Sequence, residues 1–437
     1  MRLDITVNGK NVGHLTQTGI NAYIFEYAEN VKDKDCISLS MLPSQKRSWE
    51  SNEIPHALLT SLPEGGVRQL LSRKRAPDTK TSMTDMQLLG SLGRHLVGRV
   101  HASPSKSALQ RAPAQMPSKD LAYLLQNLPH DGVKQELFDS LLDFAGVSGG
   151  FDKVLSRSPA TQEAAGKTHT FTQNEWIVKM DDEDHPALAA NEYLGMELCR
   201  RSGLTTPEVK LSDDMHRLLV ARFDIKPDGT RFGFEDFCSL MGQHPNMKFS
   251  GSMEKVCAVT RRLLSKEHVE TGSKQLYQHH LVNMAIRNGD AHLKNFAVLH
   301  NGPKDVRLSP VYDVLTMSAY APRAQNGDAY DNPSLTVGGS HRWPTSKELQ
   351  QLATRLSLSA SEQSVVADAV CEAMLTMIPD FEALAEVDET MRPTIARIAY
   401  LWGCGIEIHS QSLAQDLYAC SQNVSDPDRG TAMPRHR

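Results

Sequence analysis

The sequence predicts an α+β chain of two lobes, the first sheet-plus-helix and the second mostly helical, with a small subdomain in front. Three observations carry this expectation. Alternation over Leu3-Asp4-Ile5-Thr6-Val7 closes on Asn8-Gly9, the strongest short-range hairpin signal, so the chain opens on a sheet. A Gly-rich turn, strands, one helix and another strand then follow between about 146 and 225. From about 235 onward helical spacing dominates, interrupted near 290–345 and resuming as tandem helices over 346–419.

Residues 1–103 are expected to form the N-terminal subdomain. Ser103-Pro104-Ser105-Lys106-Ser107, Arg111-Ala112-Pro113-Ala114 and Pro117 mark an exposed connection. Helical spacing at Leu121, Leu124, Leu125 and Leu128, then at Leu137, Leu141 and Phe144, makes 104–145 a linker with connecting helices. Residues 146–225 form the first lobe. Its helix spans Leu188 to Ser202, with Leu194, Leu198 and Cys199 on one face and Gly203 as the stop. Residues 226–420 form the second lobe, and 421–437 read as a frayed or disordered tail.

The chain has 437 residues, enough for two or three domains, and its 40% hydrophobic and 23% charged content excludes global disorder. Lys plus Arg total 47 against 52 Asp plus Glu, a net charge of −5, which argues against a whole-protein grip on nucleic acid or anionic membrane. No apolar run approaches the ~18 residues of a membrane span, and the N-terminus has no apolar export core, so a cytoplasmic location is expected. The 7 cysteines are scattered without a CxxC pair and read as reduced thiols rather than a disulfide framework or zinc site.

The informative segment is Asn288-Gly289-Asp290-Ala291-His292-Leu293-Lys294-Asn295-Phe296, placed between a helical run and a strand. Asp290 and Asn295 have the D-x-x-x-x-N spacing of phosphotransferase catalytic loops. One carboxylate must meet an attacking hydroxyl, while an amide oxygen a short loop later reaches a metal. Both are hard ligands suited to Mg²⁺. Phe296–His300, Asn301-Gly302 and Val306–Ser309 read as a hairpin that returns Asp313, a second metal carboxylate, toward Asn295.

The first lobe must supply the phosphate side. Gly146-Val147-Ser148-Gly149-Gly150-Phe151-Asp152-Lys153 is a glycine turn ending in lysine, suited to an anion nest but lacking the GK[ST] of a Walker loop. Trp176-Ile177-Val178-Lys179-Met180 puts a lysine inside an apolar strand, with Glu192 on the next helix as its partner. Leu218 to Asp224 is a buried strand that suits an adenine floor. Read singly, each has a bland alternative: a polar turn, a flexible loop, a snorkelling lysine, a core strand. Their serial order is that of a two-lobed, protein-kinase-like fold.

The chain resembles the HipA family of bacterial toxin kinases over nearly its whole length. The resemblance rests on Leu62-Pro63-Glu64-Gly65, Leu88 to Arg94 with Val97-Gly98, Asn191-Glu192, Arg222-Phe223-Asp224 and Glu235-Asp236-Phe237-Cys238. Asp290 to Phe296 and Pro310-Val311-Tyr312-Asp313 complete it. It implies an ATP- and Mg²⁺-dependent protein serine/threonine kinase with Asp290 as the catalytic carboxylate and Asn295 and Asp313 on Mg²⁺. By the same resemblance Val147, Ser148, Gly149, Gly150, Lys153, Lys179, Ala221, Phe223, His292 and Lys294 line the ATP site, with Glu192 as ion-pair partner. The implied substrate is an aminoacyl-tRNA synthetase, such as glutamyl-tRNA synthetase, with arrested translation and persistence as consequences. The implied partner is a HipB-like helix-turn-helix antitoxin, which brings DNA in only indirectly and with which the toxin co-represses its operon.

Two departures stand out. Gly146 occupies the place of the serine that many family members autophosphorylate, and Ser148 lies two residues on. Either Ser148 carries that off-switch or the chain lacks it. Ala221 stands where members can carry an acidic residue. Two other readings stay open: a small-molecule or lipid kinase, since Gly289-Asp290-x-His292-x-x-Asn295 is similar to phosphoinositide-kinase loops, and a catalytically weak corepressor.

Overall fold

The computed structural model describes residues 1–64, 68–69, 71–73, 83–104, 125–126, 153–157, 175–181, 184–322, 329 and 331–425. The opening hairpin forms as the sequence predicts: β1 (Arg2–Val7) pairs antiparallel with β2 (Lys10–Gly19) across Asn8-Gly9, both at positive φ, 46° and 79°. With β3 (Ala22–Tyr27), β4 (Ser48–Ser51) and β5 (Val100–Pro104) they make a five-stranded sheet in the order β4-β3-β2-β1-β5. Leu3, Ile5 and Val7, at the period of a strand, bury one face. Helix α1 (Asp85–Leu92) covers it with Met86, Leu88, Leu89 and Leu92, and a Thr84/Gln87 capping box fixes its start.

Strands β6 (Lys153–Arg157), β7 (Glu175–Met180), β8 (Val209–Leu211) and β9 (Arg217–Ala221) form the sheet of the first lobe, ordered β6-β7-β9-β8 and antiparallel throughout. This sheet is covered on both sides. Trp176, Val178 and Met180 of β7 join the core of the N-terminal domain, whereas Ile177 packs with Leu218, Val220 and Ala189 beneath helix α2 (Leu188–Arg201). Burial of both faces explains why Leu218-Leu219-Val220 reads as a continuous apolar run rather than an alternating one. The same period of two sends Lys179 to the α2 side. Of the expected linker helices, only Leu125 and Gln126 lie within the described residues; their carbonyls accept from Asp213 N and Arg217 Nη2.

The second lobe opens with β10 (Gly233–Asp236), which pairs with β11 (Ala297–His300), itself paired with β12 (Val306–Leu308). From the sequence only the β11–β12 hairpin is expected. A four-residue strand whose partner lies 60 residues away has too short a pattern to announce itself. Around this sheet pack α3 (Met253–Leu263), α4 (Val269–Ala285), α5 (Ser346–Arg355), α6 (Ala360–Thr376), α7 (Ile378–Val387), α8 (Arg392–Ile406) and α9 (Gln411–Ser425). Helix α4 is buried nearly all round and runs through the lobe core with Leu276, Leu281 and Val282. The expected end of order at residue 420 needs correction: α9 continues to Ser425 because Leu417, Cys420 and Val424 bury one helical stripe. Among the described residues no helix is long and apolar enough to cross a membrane.

A buried polar rivet joins the N-terminal domain to β10. Glu235 accepts from Ser38 Oγ at 2.6 Å and Leu39 N at 2.7 Å, with His300 Nε2 3.2 Å away. A second joint lies at the end of β9, where Asp224 pairs with Arg222 and accepts from Gly98 N at 2.7 Å.

Candidate active site

Lys179 is the centre of the site. Its ammonium donates to Glu192 of α2 and, at 2.6 Å, to Asp313 Oδ1. Burial alone would lower its pKa, but Asp313 and Glu192 override this and hold it above the ordinary lysine value, so the ammonium stays charged. Asn295 Nδ2 donates to the other Asp313 oxygen at 2.7 Å. The hairpin therefore does return Asp313 to Asn295, and the two lobes meet through one carboxylate.

Close packing sets this meeting point. A Cβ on Gly195 would stand 2.1 Å from the Val314 carbonyl oxygen, so only glycine lets α2 lie against the segment that carries Asp313. Beside it, Asn191 donates to Thr316 O at 3.1 Å and accepts from Thr316 N at 2.8 Å, clamping the same segment. Asp313 itself sits at φ 60°, a conformation non-glycine residues rarely adopt, though Asn and Asp do so more readily than most. In the sequence Asn191 stands out only as part of the Asn191-Glu192 motif; its contact with Thr316 has no local signature.

Asp290 lies in the loop that follows α4, where Arg287 at φ 56° turns the chain. Asn288 Oδ1 accepts from Asp290 N at 3.2 Å, and Asn288 Nδ2 reaches back to Asn283 Oδ1 at 2.8 Å. Ser334 donates to Gly289 O through both its N–H and its hydroxyl. A Cβ on Gly289 would fall 2.0 Å from Asp331 Oδ2, so a larger residue here must displace that carboxylate. His292 N donates to Asn295 Oδ1 at 3.0 Å, which orients the amide.

The remaining expected ATP-site residues divide. Ala221 ends β9 opposite Trp176, and the Lys153 backbone pairs with that of Lys179, which puts β6 beside the central lysine. Phe223 packs against Phe234 and Tyr312 with centroids 6.0 and 5.6 Å apart, an aromatic patch at the lobe junction. His292 is buried edge-on to Phe249, 5.2 Å between centroids, and burial pushes its pKa down to about 3, so the imidazole is neutral. Lys294, expected in the ATP site, gives its ammonium to Glu64 of the N-terminal domain. Val147, Ser148, Gly149 and Gly150 lie outside the described residues.

The donor set suits one particular kind of metal ion. Asp313 and Asn295 offer a carboxylate and an amide oxygen, and the described residues contain no group of three or more His, Cys, Asp or Glu able to cage a metal. Mg²⁺ is commonly held in this way, by one or two carboxylates with substrate phosphates completing its shell. The residues fit a Mg²⁺ shared with a nucleotide.

Fold and site define a two-lobed, protein-kinase-like molecule carrying an extra N-terminal domain. Residues 3–103 match the sequence profile of the HipA N-terminal domain and 145–378 that of the HipA-like C-terminal domain; the chain belongs to the HipA family. Among its relatives, "Putative kinase Y4dM" of Sinorhizobium fredii is 26% identical over 423 residues, 91% of this chain and 94% of that one. "Putative kinase Y4mE" of the same organism is 26% identical over 338 residues, 73% and 78% of the two chains. A chain of the Shewanella oneidensis MR-1 toxin–antitoxin complex of HipA, HipB and operator DNA shares the fold, with a TM-score of 0.63 at 16% identity and coverage of 97% and 99%.

Proposed function

We propose that the chain is an ATP- and Mg²⁺-dependent protein serine/threonine kinase, the toxin of a toxin–antitoxin pair. The observation that carries this reading is the Lys179 ammonium held between Glu192 and Asp313, with Asn295 on the far Asp313 oxygen. In the proposed reaction Lys179 orients the α/β-phosphates, and Asn295 and Asp313 hold Mg²⁺, which neutralises phosphate charge. Asp290 takes the proton of a serine hydroxyl as its oxygen attacks the γ-phosphorus in line. The bond from the γ-phosphorus to the β-phosphate bridging oxygen breaks, and ADP leaves. Positioning and charge neutralisation suffice for such a transfer.

We assign the substrate class as an aminoacyl-tRNA synthetase, such as glutamyl-tRNA synthetase, through the family resemblance; blocked charging, arrested translation and persistence follow from that assignment. A HipB-like antitoxin is the proposed partner, with DNA engaged only through it and co-repression of the operon as the consequence. The solved relative that assembles with HipB and operator DNA supports this, since it matches the chain end to end.

The test is mass spectrometry of the purified chain after incubation with Mg²⁺-ATP, alone and with candidate synthetases, beside an Asp290→Asn control. Phosphate on a synthetase serine, absent in the control, is the expected result, and phosphate on Ser148 would place the off-switch there. No phosphate on any protein would sink the kinase reading and favour the corepressor.

A further inference from the structure

Leu62-Pro63-Glu64-Gly65 has no part in the phosphotransfer roles above, yet its acidic side chain lands on the catalytic loop. Glu64 Oε1 accepts from the Lys294 ammonium and Oε2 from that of Lys248, at 3.1 Å for the latter. The three side chains come from the N-terminal domain, from the strap 244–250 and from the Asp290–Asn295 loop. A main-chain bond closes the triangle, Leu293 N donating to Lys248 O at 3.0 Å. On the opposite side the Tyr312 hydroxyl donates to Lys294 O at 2.6 Å. Lys294 is thus pinned by side chain and carbonyl, and the next residue is Asn295, which meets Asp313. Burial would raise the Glu64 pKa, but the two lysines hold it down to about 2, so the carboxylate is charged at any working pH.

We propose that Glu64 is a positioning residue for phosphoryl transfer, locking the Asp290–Asn295 loop through Lys294 and making the N-terminal domain a working part of the catalytic unit. Without the carboxylate, two ammonium groups share a largely buried site and repel. Lys294, whose charge already bears on buried Asp236, then shifts and carries Asn295 with it. Displacements on the ångström scale at such a loop cost up to about 100-fold in rate. Nucleotide affinity, which rests on Lys179 and Asp313 as well as on Asn295, falls less than turnover does.

The turnover arm of the test rests on the kinase reading; the exchange arm does not. Full-length Glu64→Gln, Lys294→Met and the double variant are compared with wild type by hydrogen exchange of peptides covering 288–296. Exchange is expected to speed up by about fivefold or more in each, no further in the double variant, and not at all in α8 or α9. In Mg²⁺-ATP turnover to ADP, kcat falls about tenfold or more, the KM for ATP rises by less than kcat falls, and Glu64→Asp recovers part of the loss. Unchanged exchange at 288–296 in the folded single variants overturns the proposal whatever turnover does. Faster exchange with unchanged kcat overturns its catalytic part. A wild-type chain that never turns over ATP defeats the kinase reading, and exchange alone then decides the lock.

Discussion

Replacing Lys179 by methionine keeps the length of the side chain and removes its charge, leaving Glu192 and Asp313 facing across the space the ammonium filled. The side chains are 12% exposed for Lys179, 6% for Glu192 and 22% for Asp313. Removing one partner of a buried pair costs about 3–5 kcal/mol. The greater exposure of Asp313 and its bond to Asn295 place the loss at the lower end, about 3 kcal/mol. A buried carboxylate without its cation is relieved by taking up a proton, so the loss depends on pH. In the variant the folded-state pKa of Glu192 rises above the unfolded value of about 4.3; stability is whole below that value and drains away as pH climbs through the raised one. Chemical unfolding of the full chain near pH 5 and pH 8 measures this: a loss of about 1 kcal/mol at the lower pH and about 3 at the higher. Adding Glu192→Gln removes the buried charge and recovers most of the loss at pH 8. Equal losses at both pH values, or a double variant weaker than the single, would refute the reasoning.

Other predictions follow from the same geometry. Gly195→Ala drives a methyl group into the Val314 carbonyl, so it costs about 1–3 kcal/mol and, by levering α2 from Asp313, lowers ATP turnover; calorimetry and a coupled ADP assay read both, and a variant as stable and active as wild type contradicts the packing argument. Asp290→Asn should abolish transfer with nucleotide affinity within about twofold, whereas Asp313→Asn should weaken Mg²⁺-ATP binding as well; fluorescent-nucleotide titration separates them, and equal binding losses would mean the roles are misassigned. Asp224→Asn breaks the ion pair with Arg222, whose side chains are each 1% exposed, and weakens acceptance from Gly98 N, at about 3 kcal/mol. The Asp224 pKa is held below the usual carboxylate value against burial by Arg222, so its contribution is present at neutral pH and is lost only as pH falls through that depressed value. Unfolding midpoints that differ as much at pH 2 as at pH 7 would count against this.

Much of the architecture was legible because it repeats locally. The Asn8-Gly9 turn, the helix stopping before Gly203, the strand lysine and the hairpin after Asn295 each rest on signals a few residues long. They reappear within a residue or two of where the spacing puts them. Lys179, Glu192, Asn295 and Asp313, which the fold brings together, stand out in the sequence for a related reason: carboxylates, an amide and a lone lysine in an apolar strand depart from their local pattern. What the sequence by itself determined was therefore the elements, their order and the chemical kinds of group at the centre. Tertiary structure alone decided which groups touch. Glu64 and Lys294 are 230 positions apart, Asn191 and Thr316 125, and the β10 edge recruits its partner from across the lobe. No periodicity links such positions, because each contact is fixed by how close two backbones approach, as at Gly195. That approach is also why Lys294, two positions from His292 and next to Asn295, is held by a carboxylate of another domain.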